Sequence, residues 1–352
     1  MTAPPLTLGI ETSCDESAVA VLDPEGRVLV NLLASQVAAH RPYGGVVPEI
    51  ASREHLVALP ALVSRALETV PRPEAVAVTA RPGLVGALLV GVRFAAAFAW
   101  ARRLPLAAVD HLEGHLLSPF LDLDGGPAAP VPEPTLALVA SGGHSSWYLL
   151  SGGRSTRLGR TRDDAAGEAF DKVAQALGLP YPGGPVVDRL ARTGDPAAVP
   201  LPRPRLKDSE VDFSFSGLKS AAIRIVRERG LHADDEASAP REVRDLLAAF
   251  EAAVVEQLLR PLPLLAGRHR PAAIAVAGGV AANSLLRREV ERAGERLGIP
   301  VRLAPRALTT DNAAMIARAG QLALLRGETA DPRRLDASGR QAWQPPGMRS
   351  AS

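Results

Sequence analysis

The sequence predicts an α/β fold built twice, as two lobes with a central cleft, each lobe a sheet covered by helices on both faces. Three observations predict it. A strand, polar turn, strand, turn, strand device occurs near residue 6 and again near residue 135. Each copy is followed by helical stretches and then by two short apolar strands. The length of 352 residues suits two domains of ordinary size or one duplicated fold.

In the first copy, residues 6–11 form an apolar strand that ends in the polar turn Thr12-Ser13-Cys14-Asp15-Glu16. Residues 17–22 form the second strand and turn at Asp23-Pro24-Glu25-Gly26 into the third, 27–33. In the second copy, 135–140 leads through Ser141-Gly142-Gly143-His144 into 145–150, then through Ser151-Gly152-Gly153 into 154–160. The later strands are 75–79 and 106–109 in the first half, and 272–277 and 301–303 in the second. Apolar runs of Ala and β-branched residues between helices read as strands covered on both faces. This is the architecture of the actin, hexokinase and Hsp70 superfamily, the ASKHA fold. The expected lobes are 1–121 and 135–329, joined by an Asp-, Gly- and Pro-rich linker at 122–134, with a disordered tail at 330–352.

Hydrophobic residues make up 47% of the chain and aromatics 4%, so the cores are expected to consist of Ala, Val and Leu. The formal net charge of +2 permits nucleic-acid binding through a local patch without arguing for it. The single cysteine, Cys14, forms no internal disulfide and fits a reducing cytoplasm. The first residues show no signal peptide. The apolar run 83–100 holds three glycines and Arg93, which makes it a buried helix rather than a membrane span.

His111-Leu112-Glu113-Gly114-His115 carries two histidines four apart, on one face of a helix, where both reach one metal ion. Asp311, in Thr309-Thr310-Asp311-Asn312, is a third candidate ligand. The zinc-protease signature has Glu directly after the first His; here that residue is Leu112. The alternative is a pair of solvated or capping histidines. The turn Ser141-Gly142-Gly143 suits close approach of backbone N–H groups to an anion, although a plain hairpin uses the same glycines, and Gly278-Gly279 reads as a strand–helix junction that aims N–H groups at a phosphate or a ribose. Asn283 either meets an adenosine-type ligand or caps a helix. Asp171 follows a helical period, and Asp188, read as lying in the first turn of a helix after Gly183-Gly184, suits either a ribose or the helix dipole. The run Asp212-Phe213-Ser214-Phe215-Ser216 reads as a strand end with a helix cap.

Taken together, these segments resemble the TsaD-type tRNA threonylcarbamoyltransferase family, once called glycoprotease or O-sialoglycoprotein endopeptidase. The matching segments are 9–17, 43–49, 51–55, 111–115, 141–144, 167–172, 181–185, 212–219, 278–283 and 310–315, in the family's order. The resemblance implies transfer of the threonylcarbamoyl group from threonylcarbamoyl-adenylate to N6 of adenosine 37 of tRNAs reading codons that begin with A, with release of AMP. It implies His111, His115 and Asp311 as ligands of one divalent metal per subunit, Fe2+, while the donor set suits Zn2+ or manganese as well. It also implies Val139, Ala140, Ser141, Gly142, Gly143, Asp171, Gly184, Asp188 and Asn283 as adenylate-binding residues. Val139 and His144 stand where archaeal and eukaryotic relatives carry Tyr and Asn, so the chain looks bacterial, with one protein ligand fewer on the metal. Arg81 departs from the family's usual Gly. The partners implied are tRNA, a shorter TsaB-like paralogue and a small TsaE-like ATPase, with no membrane. Arg203, Arg205 and Lys207 are candidates for tRNA contact on charge alone. A small-molecule kinase of the same fold, a metalloprotease and a non-catalytic subunit are the rival readings.

Overall fold

Ten strands form at the ten places expected, among the residues that the computed structural model describes: 3–70, 72–233 and 235–340. In chain order the elements are β1 (Thr7–Glu11), β2 (Glu16–Leu22), β3 (Val28–Ser35), α1 (Val37–His40), α2 (Pro48–Thr69), β4 (Ala75–Arg81), α3 (Val85–Arg102), β5 (Leu106–Asp110) and α4 (His111–Leu117). There follow β6 (Thr135–Ala140), β7 (Ser145–Ser151), β8 (Arg154–Arg160), α5 (Ala166–Ala176), α6 (Gly183–Ala191), α7 (Ser216–Arg229), α8 (Arg241–Leu259) and α9 (Leu262–His269). The last are β9 (Ala273–Ala277), α10 (Ser284–Leu297), β10 (Val301–Leu303) and α11 (Ala313–Leu325).

The duplication is plain in the pairing. One sheet has the order β3-β2-β1-β4-β5 and the other β8-β7-β6-β9-β10. In both, the first three strands run antiparallel to one another, and the first pairs in parallel with the fourth, which pairs in parallel with the fifth. The central strands β1, β6 and β9 are buried along their whole length, as expected for strands covered on both faces.

The chain divides into two units, one holding the residues up to Pro130 and from Asp311 onward, the other Val131–Thr310. The boundary falls inside the expected linker, but the segment from Asp311 differs from the expected assignment to the C-terminal lobe. In the first unit α11 lies on the sheet. A side chain at Gly9 of β1 would run into Ala313 and Ala317, and one at Gly320 into Ala77 of β4. The pleat sends Leu8 and Ile10 the other way, into a core with Leu59 and Leu62 of α2 and Val92 and Ala95 of α3. Helix α3 is long and apolar enough by composition to cross a membrane, and here its Ala87, Leu88, Gly91 and Val92 are buried within this unit.

The tail is not wholly disordered. Ala330 N–H donates to Leu106 O (2.8 Å), Ser338 N–H donates to Ala80 O (2.9 Å), and Leu335 and Ala337 pack against the core of the first unit. The remainder of the expected disordered segment, 341–352, lies outside the described residues.

The second unit corrects the expectation of aromatic-free cores. Trp147, Phe170, Phe213, Phe215 and Phe250 are all buried there, with Phe170 and Phe250 edge to face at 5.5 Å. The Trp147 indole N–H donates to Leu258 O (2.9 Å). The unusual Phe-Ser-Phe run is thereby explained. Its phenylalanines anchor the start of α7, and Asp163 accepts from Ser214 Oγ (2.7 Å), Ser216 Oγ (2.6 Å) and Phe215 N (2.8 Å).

Candidate functional site

Strand β5 ends in Asp110, whose side chain accepts from Leu112 N–H (3.0 Å) and starts α4 at His111. His111 and His115 are then one turn apart, with ring centroids at 4.6 Å and planes nearly perpendicular. Asn312 caps α11 by accepting from Met315 N–H (3.0 Å) and leaves Asp311 just outside the helix. Asp311 Oδ1 lies 3.3 Å from His111 Nε2 and 3.2 Å from His115 Nε2. Two nitrogens and one carboxylate oxygen thus stand within 4.8 Å of one another, a possible metal site inside the first unit.

The residues fit a cation on two counts. Glu11, at the buried end of β1, takes the Thr79 hydroxyl on Oε2 (2.6 Å) and the Ser13 N–H on Oε1, so it is held as an acceptor. His111 Nδ1 lies 3.0 Å from that Oε2 and 3.2 Å from Ser13 Oγ. An acceptor-only carboxylate takes the proton on Nδ1, so Nε2, which faces Asp311, is the nitrogen that would hold a cation in place of a proton. The second count is charge: burial would lower the His111 imidazole, but Asp311 and Glu11 outweigh it and hold it well above its ordinary value. Burial likewise would raise Asp311, yet the two imidazoles bring it far below the usual carboxylate range. Burial lowers His115 despite its bond to Asp311. The acid thus demands positive charge where His115 resists carrying it.

Around this cluster, burial and then Asp311 raise Asp15. Burial, then Asp15, push the Cys14 thiol far up, so it is no thiolate nucleophile. Arg81 Nε stands 3.7 Å from Asp110 Oδ2, facing the acid that starts α4.

In the second unit the expected nucleotide residues cluster around three loops. Val139 and Ala140 are buried in β6, so the surface is offered by the turn after them, where Gly142 and Gly143 are exposed. These glycines do not use positive φ; the turn closes through Ser141 N–H to His144 O (2.7 Å). Gly278 does need it, at φ 88°, and a side chain there would strike Ala140 O. Asp171 Oδ1 accepts from Gly183 N–H (2.8 Å), fixing the loop before Gly184, which faces open space. Asp188 lies in the second turn of α6, not the first. It is buried and accepts from Ser284 N–H (2.8 Å) and Oγ (2.6 Å), and from Arg192 (2.6 Å). Burial would raise it, but these donors hold it below its ordinary value. Asn283 does cap α10, with Oδ1 accepting from Leu286 N–H (2.9 Å), and its Nδ2 donates to Glu251 (2.6 Å).

Sequence reasoning missed Glu11 and Glu251. Each is a single acid in an otherwise apolar stretch, Glu11 at the end of Thr7–Glu11 and Glu251 within residues 246–255 of α8, and that is the signal that marks them.

Comparison with known proteins gives concordant results. The TsaD family model, described as tRNA N6-adenosine threonylcarbamoyltransferase, matches residues 27–318. The protein of that name from Moorella thermoacetica is 50% identical over 328 residues, covering 92% of this chain and 93% of its own. That from Geobacter metallireducens is 49% identical over 327 residues, with coverage of 92% and 93%. Among solved structures, full-length HypF in its phosphate- and nucleotide-bound form aligns with TM-score 0.58 at 11% identity, over 94% of this chain and 48% of that one. A ROK family protein from Streptococcus pneumoniae aligns with TM-score 0.51 at 14% identity, over 92% and 99%. At such identities the structural likeness shows the fold alone.

Proposed function

The chain belongs to the family of tRNA N6-adenosine threonylcarbamoyltransferases, and from that premise we propose that His111, His115 and Asp311 hold one divalent metal ion and that the loops of the second unit hold threonylcarbamoyl-adenylate. The chain is a transferase that modifies tRNA. The acceptor is N6 of the adenosine at position 37, and AMP leaves.

The observation that carries this reading is the meeting of two Nε2 atoms and the Asp311 carboxylate, with Glu11 fixing the tautomer of His111. The donor is a mixed carbamic–phosphoric anhydride, in which AMP is a good leaving group. The protein therefore needs no strong nucleophile; it must hold the amine in line with the carbamoyl carbon and stabilise developing charge. When bound, a divalent ion supplies Lewis-acid polarisation of a substrate oxygen. The exposed Ser141–Gly143 turn and the loop at Gly278 present backbone N–H groups suited to phosphate, and Asp188 and Asn283 carry polar groups suited to the nucleoside.

Iron is the metal that the resemblance implies. The two-nitrogen, one-carboxylate set also suits zinc or manganese, so metal analysis of protein purified without oxygen decides the identity. The reading extends to a TsaB-like paralogue, a TsaE-like ATPase and a cytoplasmic location, which suits a tRNA substrate. Arg205 and Lys207 are exposed and remain candidates for tRNA, whereas Arg203 is paired with Glu256 (2.7 Å). A protease mechanism is disfavoured, because the position of its water-activating Glu holds the buried Leu112.

His111→Ala tests the reading. The variant is expected to fold, to retain less than a tenth of the wild-type metal, and to lose transfer when synthetic threonylcarbamoyl-adenylate and tRNA are incubated with it and partner proteins and the tRNA nucleosides analysed by mass spectrometry. Full activity in a metal-free variant would refute it.

A further inference from the structure

Helix α8 is buried on nearly every side, with Phe250, Ala253 and Val254 in the core of the second unit. Glu251 interrupts it at 5% exposure. A carboxyl in such a place is costly unless its oxygens are matched. Two residues on other elements match it. Asn283 Nδ2 donates to Glu251 Oε1 at 2.6 Å, and the neighbouring Asp188 carboxylate of α6 raises Glu251 through its charge and as a hydrogen-bond acceptor. The other charged groups around this cluster are Arg288 of α10, whose field acts on Glu251, and Arg192 of α6, which bonds Asp188 at 2.6 Å. Asp188 also holds Ser284, the residue after Asn283.

Two carboxylates cannot share a hydrogen bond unless one keeps a proton. Burial and then the charge of Asp188 push Glu251 up to about 8, whereas Asp188 is held low by its donors. Glu251 therefore carries the proton at neutral pH. Its carbonyl oxygen accepts from Asn283 and its hydroxyl donates to Asp188. With Asn283 Oδ1 fixed by Leu286 N–H, the amide has one remaining N–H to offer.

We propose that Glu251 is a positioning residue for the nucleoside end of the donor, locking Asn283 and Asp188 into one hydrogen-bonded frame across α6, α8 and the start of α10. This rests on the reading of Asp188 and Asn283 as adenylate residues. Glu251 itself touches no substrate. Its ionisation above pH 8 would remove the bridging proton and set two carboxylates against each other, loosening the frame.

The test compares wild type with Glu251→Met, which keeps volume but neither donates nor accepts as a carboxyl does, and Glu251→Gln, whose carbonyl still accepts from Asn283 and whose amide still donates to Asp188. AMP binding is measured by calorimetry from pH 6.5 to 9.5, and transferase KM for the donor and kcat at pH 7. Wild-type AMP affinity is expected to fall as pH rises through about 8. Glu251→Met should weaken AMP binding and raise the donor KM about tenfold with kcat and metal content unchanged, whereas Glu251→Gln should stay within about threefold of wild type and lose the alkaline fall. Wild-type affinity for AMP in Glu251→Met, or an unchanged alkaline fall in Glu251→Gln, overturns the positioning role alone. Absence of AMP binding by wild type overturns the adenylate reading, and this proposal with it. If Glu251→Met does not fold, the pH profile of Glu251→Gln decides.

Discussion

Glu11 shows how one side chain sets the chemistry of another. It stands at the end of a buried strand and accepts from Thr79 and Ser13 while its Oε2 faces His111 Nδ1. Glu11→Gln keeps the shape but replaces one accepting oxygen by an NH2 group. Turned toward His111, that group faces a ring nitrogen that must itself carry a proton for Nε2 to remain a ligand. Metal affinity is expected to fall by about 10- to 100-fold, the usual effect of losing an orienting carboxylate behind a histidine ligand. Competition with a chromophoric chelator measures it, and an unchanged dissociation constant would mean that Asp311 and the backbone suffice to orient the ring. The two histidines were legible in the sequence because four-residue spacing on a helix is a local fact. Asp311 was found only through its motif. Glu11 and Glu251 escaped because their partners lie 100 and 32 residues away, and no local period records such contacts.

Helix α11 makes the same point for an element. Its apolar run was readable as a helix, yet nothing local told which sheet it would cover. The decisive feature is a face of small residues: Gly320 meets Ala77 of β4, while Ala313 and Ala317 meet Gly9 of β1. Such a face brings helix and sheet backbones close, and that closeness holds Asp311, two residues before the helix, beside His115. Gly320→Ala adds one methyl group where Ala77 already stands. Helix propensity favours the change by about 1 kcal/mol, but overpacking costs about 1–3 kcal/mol, so melting temperature and metal affinity are both expected to fall. Gly267→Ala in α9 is the control, since nothing lies near its added carbon, and it should stabilise. Equal stabilisation by both would show that the contact at Ala77 relaxes freely.

At the scale of the whole molecule, the duplicated strand order was legible because both copies place a polar turn after an apolar first strand. Their cores were not, because composition averages over the chain. Five large aromatics sit inside the core of the second unit, whereas in the first Phe94 and Phe98 only pack against a core of Leu, Val, Ile and Ala. The assignment of units was also hidden, because the first is assembled from two separated stretches of sequence. It follows that a chain ending at residue 310 should lose far more than one metal ligand. Without α11, the face of β1 and β4 that carries Gly9 and Ala77 has no cover, and most residues of both strands are apolar. Hydrogen exchange should show β1 and β4 losing protection while β6 and β9, whose unit keeps all its residues, remain slow. Equal protection of all four strands in the shortened chain would mean that α11 is an accessory rather than a layer of the first unit. The third metal ligand would then owe its position to something other than this packing.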